Sequence, residues 1–303
     1  MNIVLTGCYG FIGTNVGNHF KDHNIIMVDD YIFRDRYNIN LPNIKSCSKL
    51  DVFKYEALTF AEADIVIHLG AITDTFETNV EELTKWNLNY SKDIWKYCIK
   101  HNTSLIYASS AATYGDGSNG FSDYTKPSEL VPLNDYAISK NEFDKFVLES
   151  HETPPFWAGL KFFNVYGPFE NHKGKMASVV WHGYNQIKET GKMNLFKGEH
   201  KRDFVYVQDI CNVIEWLIQN KPKNDIYNLG SGIARNFKDL ASNIFSSMNL
   251  EENINYIDIP EQIKNSYQSF TEADMSKLKS VGYTKEFYSL EEGVNNYITI
   301  LNK

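Results

Sequence analysis

The sequence predicts an α/β protein, a doubly wound parallel sheet joined to a smaller α/β lobe. Three observations predict it. Short β-branched apolar runs alternate with amphipathic stretches over the first two-thirds of the 303 residues. A glycine-rich turn separates the first run from the first amphipathic stretch, and the alternation loosens beyond about residue 166. Strands joined in this way by helices run parallel, because right-handed crossovers return each strand in the same direction.

The expected strands are Asn2–Thr6, Asn24–Asp29, Asp64–Leu69, Ser104–Ser109 and Trp157–Phe163. Helices are expected between them, notably over Phe11–Asp22, Val80–His101 and Asp135–Ser150. Beyond Tyr166 the breakers Pro168, Gly174, Gly191 and Gly198 divide the chain into short elements. A helix over Val207–Asn220 and a strand over Asp225–Asn228 then return to the sheet. Residues 1–166 and 207–230 are therefore expected to form the sheet-bearing domain, and 167–206 with 231–303 the smaller lobe. No repeat or long linker is present.

At 43% hydrophobic and 22% charged, the composition is that of a soluble globular protein. A net charge of −8 without a concentrated basic run argues against a nucleic-acid partner. Cys8, Cys47, Cys98 and Cys211 are widely separated, and neither they nor the histidines show metal-ligand spacing, so no metal site is expected. Met1 leads almost directly into the first strand, and no apolar run approaches the ~20 residues that span a bilayer. The expectation is a cytoplasmic protein with reduced thiols and no membrane partner.

The first turn reads Thr6-Gly-Cys-Tyr-Gly-Phe-Ile-Gly13. Gly7 permits the tight turn, Gly10 close approach of a pyrophosphate, and Gly13 close packing of helix on strand. With Phe11 and Ile12 opening the helix, amides and helix dipole meet the phosphates. This is a Rossmann-type dinucleotide site. Asp29 ends the second strand, where an acid hydrogen-bonds the adenosine ribose. Asp30 follows, then Arg34 and Arg36, which suit a 2′-phosphate. The aspartates favour NAD and the arginines NADP.

Tyr136 and Lys140, in Asn134-Asp-Tyr-Ala-Ile-Ser-Lys140, are one helical turn apart and share a face. An ammonium near a phenol favours the phenolate, which makes Tyr136 a candidate general acid or base for a hydroxyl or carbonyl. Upstream, Tyr107-Ala-Ser-Ser-Ala-Ala-Thr-Tyr-Gly115 closes a strand with consecutive hydroxyls.

The Gly-x-x-Gly-x-x-Gly spacing and the order Ser110, Tyr136, Lys140 resemble the extended short-chain dehydrogenase/reductases. That resemblance implies that Ser110 bonds the reacting oxygen and that Lys140 also binds the nicotinamide ribose. It implies that Leu69, Gly70, Ala71, Ile72 and Thr73 line the adenine and pyrophosphate side, and that Asn87 supports the site. Dehydratases of this class carry an acidic pair after the catalytic hydroxyl, where this chain has Ala111 and Ala112, so elimination is disfavoured.

Further segments resemble, in order, the ADP-L-glycero-D-manno-heptose 6-epimerase family. They are Phe162-Phe-Asn-Val-Tyr-Gly-Pro168, Asn171-His-Lys-Gly-Lys-Met-Ala-Ser178, Leu195-Phe-Lys-Gly198, Lys201-Arg-Asp-Phe-Val-Tyr-Val207 and Ser266-Tyr-Gln-Ser-Phe-Thr271. The match runs essentially end to end. It implies oxidation of the C6 hydroxyl by NADP (or NAD), return of the hydride to the other face, and two acid/base residues, Tyr136 and Lys173. It implies Val165 beside the nicotinamide, Asn164, His182, Phe196, Lys197, Gly198, Glu199 and Tyr267 against the nucleotide sugar, and Arg202 on its diphosphate. It also implies a homo-oligomer. Lys175 stands where the family commonly has a small hydroxyl residue in contact with substrate, and 31–62 is shorter and divergent. The rival readings are another nucleotide-sugar epimerase or reductase, such as a UDP-hexose 4-epimerase, and a non-catalytic dinucleotide-binding regulator.

Overall fold

Strand alternation is the first thing the structure, a computed structural model, puts to use. It describes residues 1–30, 62–261 and 268–303, and 44–48 as backbone. Seven strands form one sheet in the order β10-β6-β5-β4-β1-β2-β3, with every neighbouring pair parallel. They are β1 (Asn2–Thr6), β2 (Asn24–Asp29), β3 (Ile44–Ser48), β4 (Ile65–His68), β5 (Ser104–Ser110), β6 (Trp157–Phe162) and β10 (Asp225–Leu229). The chain winds from β1 to β2 and β3, then crosses back to β4 on the other side. A crevice opens at that reversal, beyond the carboxyl ends of β1 and β4.

Period-two side-chain alternation divides the core between the two faces. Ile3, Leu5, Ile65, Ile67 and Ile106 pack with α1 (Phe11–His19) and α5 (Val207–Asn220), through Val16, Ile210, Ile214 and Leu217. Val4, Val66, Leu105 and Trp157 pack on the other face, against Ile94, Trp95 and Cys98 of α2 and Phe143 and Val147 of α3. Helix α2 runs over 80–100 as Val80–Leu83, a π-helical turn Thr84–Asn89, and Tyr90–Lys100, and α3 is Asp135–Glu149. The π turn was not expected from the sequence, and α1 stops three residues short of Asp22, capped by the Phe20 amide on Val16 O.

The second region is built on two small sheets. β7 (Asn164–Tyr166) pairs parallel with β9 (Lys201–Tyr206), which pairs antiparallel with β11 (Ala234–Asn236); β8 (Met193–Phe196) pairs parallel with β12 (Ile254–Ile257). Helices α4 (Val179–Thr190), α6 (Phe237–Ser247) and α8 (Leu290–Leu301) close a separate core around Val180, Tyr184, Ile244, Val294 and Tyr297; a short α7 (Ser276–Ser280) precedes α8. Asp203 ties this region together. Its carboxylate accepts from Ser231 N (2.6 Å), Ser231 Oγ (2.7 Å), Gly232 N (2.9 Å) and Ala273 N (3.0 Å). Among the described residues, no helix is long and apolar enough to cross a membrane, and no group of acidic, His or Cys side chains is placed to hold a metal.

Candidate active site

The glycines of the first turn are where side chains cannot fit. Gly7 has φ +69°, and a Cβ there would lie 2.6 Å from Gly70 N; a Cβ on Gly13 would lie 2.0 Å from Gly7 O. β1, the turn and the segment after β4 therefore meet backbone to backbone. Gly10 caps α1 without a side-chain bond, so the first-turn amides are left to a ligand. A cavity of about 820 Å³ opens here, lined by Gly7, Gly10, Phe11, Ile12 and Gly13, by Asp29 and Asp30, and by Leu69, Gly70, Ala71, Ile72 and Thr73. The Asp29 carboxylate accepts from Tyr9 N (2.9 Å) and Asp30 N (2.8 Å), which holds it at the end of β2. Bare backbone at the turn, an uncapped helix and an acid at the strand end fit a dinucleotide. Cys8, within the same turn, is buried and its thiol is pushed up by burial, so it carries no reactivity.

Behind the wall, one directed hydrogen-bond chain joins the cofactor side to the catalytic helix. Ser91 Oγ donates to Asn87 O (2.7 Å), so it accepts from His68 Nε2 (2.9 Å). His68 Nδ1 is then the acceptor for the Thr6 hydroxyl (2.6 Å), whose oxygen in turn accepts from Gly70 N (3.1 Å). The ring stays neutral, its pKa lowered to about 3 by burial and then by Lys140. Asn87, buried on the π turn, does not touch the cavity. Its amide accepts from Ile72 N (2.8 Å) and donates to Ile72 O (3.0 Å) and Ser139 Oγ (3.0 Å), and Ser139 donates to Tyr136 O (2.7 Å). A π turn brings this side chain out of α-helical register, as such turns do at functional sites.

Ser110, Tyr136 and Lys140 meet at the end of β5. Asn134 caps α3 through Ala137 N (2.8 Å), which starts the helix at Asp135, one residue before Tyr136. Lys140 Nζ donates to Ala108 O (3.0 Å). Burial brings the Lys140 pKa down to about 8, opposed by Asp144. Tyr136 is hydrogen-bonded to Ser110, but burial outweighs that bond and raises the phenol above its ordinary value. The lowering expected from Lys140 is thus overridden by desolvation in this state.

Lys173 reaches the same cavity from the other region. It stands on a 3-10 segment, Asn171–Met176, in which Gly174 has φ +52°. Its Nζ lies 5.4 Å over the Phe11 ring, and burial lowers its pKa against the pull of Glu170. The buried Glu170 accepts from Ser178 N and Oγ (both 2.6 Å), fastening the two ends of the segment; Asn15 of α1 donates to Pro168 O (2.9 Å). Asn164 and Val165 also line the cavity.

Other expected residues stand elsewhere. Lys175, His182, Phe196, Lys197, Gly198, Glu199 and Arg202 do not line the cavity. Lys175 is exposed, and Lys197 pairs with Asp258 at 2.9 Å on the surface. Arg202 donates to Lys201 O (3.0 Å) and Gln268 O and stacks 5.7 Å over Phe237, whose ring does line the cavity. Arg34, Arg36 and Tyr267 lie outside the described residues, as does most of the divergent stretch 31–62. The sequence reading missed Glu82, Trp86, Phe162, Ser178, Phe204 and Phe237 as lining residues. For most no local signal exists; Glu82 and Trp86, four apart and bonded through the indole N–H (2.7 Å), adjoin Asn87 and were within reach.

Fold and cavity together define a Rossmann protein whose nicotinamide-dinucleotide cavity includes Ser110, Tyr136 and Lys140. The chain belongs to the NAD dependent epimerase/dehydratase family, whose model matches residues 3–230. It is 42% identical to ADP-L-glycero-D-manno-heptose-6-epimerase of Fusobacterium nucleatum, over 98% of this chain and 96% of that protein. The enzyme of that name from Nitratidesulfovibrio vulgaris is 40% identical, over 97% and 96%. Among solved structures, Helicobacter pylori ADP-L-glycero-D-manno-heptose-6-epimerase superposes with a TM-score of 0.83 at 27% identity, covering 99% of this chain and 96% of that one.

Proposed function

We propose that the chain is a sugar-nucleotide epimerase, an isomerase that inverts C6 of ADP-D-glycero-D-manno-heptose to give the L-glycero epimer. The observation that carries this is that Tyr136 and Lys173 enter one cavity from separate elements. Oxidation removes a proton from the C6 oxygen and a hydride from C6; return of the hydride to the opposite face of the ketone then needs a proton donor at that oxygen in the turned orientation. The nicotinamide, when bound, takes up the hydride and returns it. Tyr136, held by Ser110, handles the C6 oxygen in one substrate orientation, and Lys173 in the other. Lys140 supports the Tyr136 phenolate and reaches the nicotinamide ribose. Asn164 and Val165, which line the same cavity, would face the sugar and the nicotinamide.

NADP is the proposed cofactor; Arg34 and Arg36, whose guanidinium groups suit its 2′-phosphate, lie outside the described residues. NAD is a second reading, favoured by Asp29 and Asp30, because two carboxylates at the end of β2 suit a ribose diol and repel a phosphate. Comparing Kd for the two dinucleotides decides between them. The lobe boundaries drawn from the sequence, with nucleotide-sugar groups supplied by 167–206 and 231–303, belong to the same proposal. So do a cytoplasmic homo-oligomer and the substrate roles of Lys175, His182, Phe196–Glu199, Arg202 and Tyr267. Incubating the purified protein with ADP-heptose and with UDP-hexoses, and resolving products by NMR, tests the assignment. Absence of C6 inversion with ADP-heptose overturns it, and turnover of UDP-hexoses instead points to a 4-epimerase.

A further inference from the structure

Three consecutive residues of β5 hold three residues of α3. Ala108 O accepts from Lys140 Nζ (3.0 Å), Ser109 Oγ donates to Asp144 Oδ2 (2.7 Å), and Ser110 bonds Tyr136. Tyr136, Lys140 and Asp144 are spaced four apart, so they stand on one helix face. Asp144 is fully buried and does not line the cavity. Besides Ser109 it accepts from Tyr107 OH (3.0 Å) and from Lys161 Nζ (2.7 Å). Lys161, on β6, is 1% exposed, donates to Thr113 Oγ1 (2.6 Å) and lies 5.2 Å over the Tyr114 ring. Room for the Tyr107 hydroxyl depends on Gly159, where a Cβ would lie 2.4 Å from that oxygen.

A buried ion pair is a poor source of stability, since apolar side chains of equal volume serve as well. Its placement behind the reaction centre suggests another use. We propose that Asp144 is a positioning residue for the reaction: its carboxylate fastens α3 to β5 and sustains the ammonium of Lys140, and Lys161 limits that support. This rests on the reading of Tyr136 and Lys140 as the acid/base pair. Burial alone disfavours the Lys140 charge, and the Ala108 carbonyl that accepts its hydrogen bond is neutral. Asp144, one turn away, opposes that cost. The other titratable groups facing the pair are His68 of β4, which stays neutral, and the phenols of Tyr136, Tyr107 and Tyr114, which burial keeps protonated.

The test is the titration of the Lys140 amine in the full-length protein, read by pH-dependent reductive methylation and mass spectrometry, beside the pH profile of kcat. Asp144→Asn is expected to lower the Lys140 titration by about one pH unit, and Lys161→Met to raise it by a similar amount. Either variant decides the question by itself, so failure of one to fold leaves the other. An unchanged titration, or shifts of the same sign, overturns the proposal. Lys140→Met separates the two readings: if it keeps turnover, the acid/base assignment fails, while the methylation data still judge Asp144.

Discussion

Tyr136 stands on a fifteen-residue α-helix, capped at Asn134 and bonded to the sheet at successive turns, whereas Lys173 stands on a six-residue 3-10 segment that joins β7 to α4 in the second region. The first is buried and its phenol is raised; the second is half-buried and its amine is lowered. Both shifts come from desolvation, and each moves the group towards its uncharged form. Each is also opposed by one neighbour, Ser110 for Tyr136 and Glu170 for Lys173. The two groups proposed to transfer protons are thus shifted by the same physics on unlike scaffolds. The helix supplies rigidity through its own regular bonds, and the segment borrows it from the Glu170–Ser178 bonds.

The sharpest way to break this comparison is to remove each group. Tyr136→Phe and Lys173→Met are each expected to lower kcat about a thousandfold while cofactor still co-purifies. Near-normal turnover in either, followed by NMR at C6, would refute the two-base scheme. Next in size is Gly13→Ala, whose new Cβ meets the Gly7 carbonyl at 2.0 Å. Overpacking of about 1–3 kcal/mol corresponds to a roughly 5- to 150-fold loss of dinucleotide affinity, measurable by calorimetry. Tyr136 and Lys173 variants should not show that loss.

Glu170→Gln probes the borrowed rigidity. A roughly tenfold drop in kcat is expected from loosened placement of Lys173, with cofactor affinity unchanged. The sign of the accompanying pH effect follows from the charges. Glu170 raises the Lys173 pKa against burial, so its neutralisation lowers that pKa further, and the limb of the profile owed to Lys173 moves to lower pH. A shift to higher pH would mean that Glu170 does not act on Lys173. Smallest is Lys175→Ser. The side chain is exposed and outside the cavity, so the substrate contact proposed for it is expected to change kcat/KM by no more than about twofold. A larger change would show that the segment rearranges when substrate binds.

Much of the first wall was legible because its residues are local in the chain. Gly7, Gly10 and Gly13 lie within one turn, and Tyr136 and Lys140 are spaced by the helix itself. Strand alternation was equally readable, since apolar runs buried on both faces leave a compositional trace. The cavity's other wall was less so. Lys173 came from resemblance, and Phe204, Phe237 and Ser178 enter from β9, α6 and the start of α4, which no spacing links to Tyr136. Arg202 was expected on a diphosphate by resemblance, and its stacking on Phe237 of α6 has no trace in local spacing.

By itself, the sequence determined the parallel sheet, the glycine turn and the Tyr136–Lys140 face, because periodicity and backbone freedom are properties of neighbours along the chain. Only the tertiary structure decided that Asn87 joins Ile72 to Ser139, that Glu170 fastens the Lys173 segment, and that Asp144 lies behind Lys140 against Lys161. Those bonds form between groups distant in sequence, and their strength depends on burial, which the fold as a whole creates.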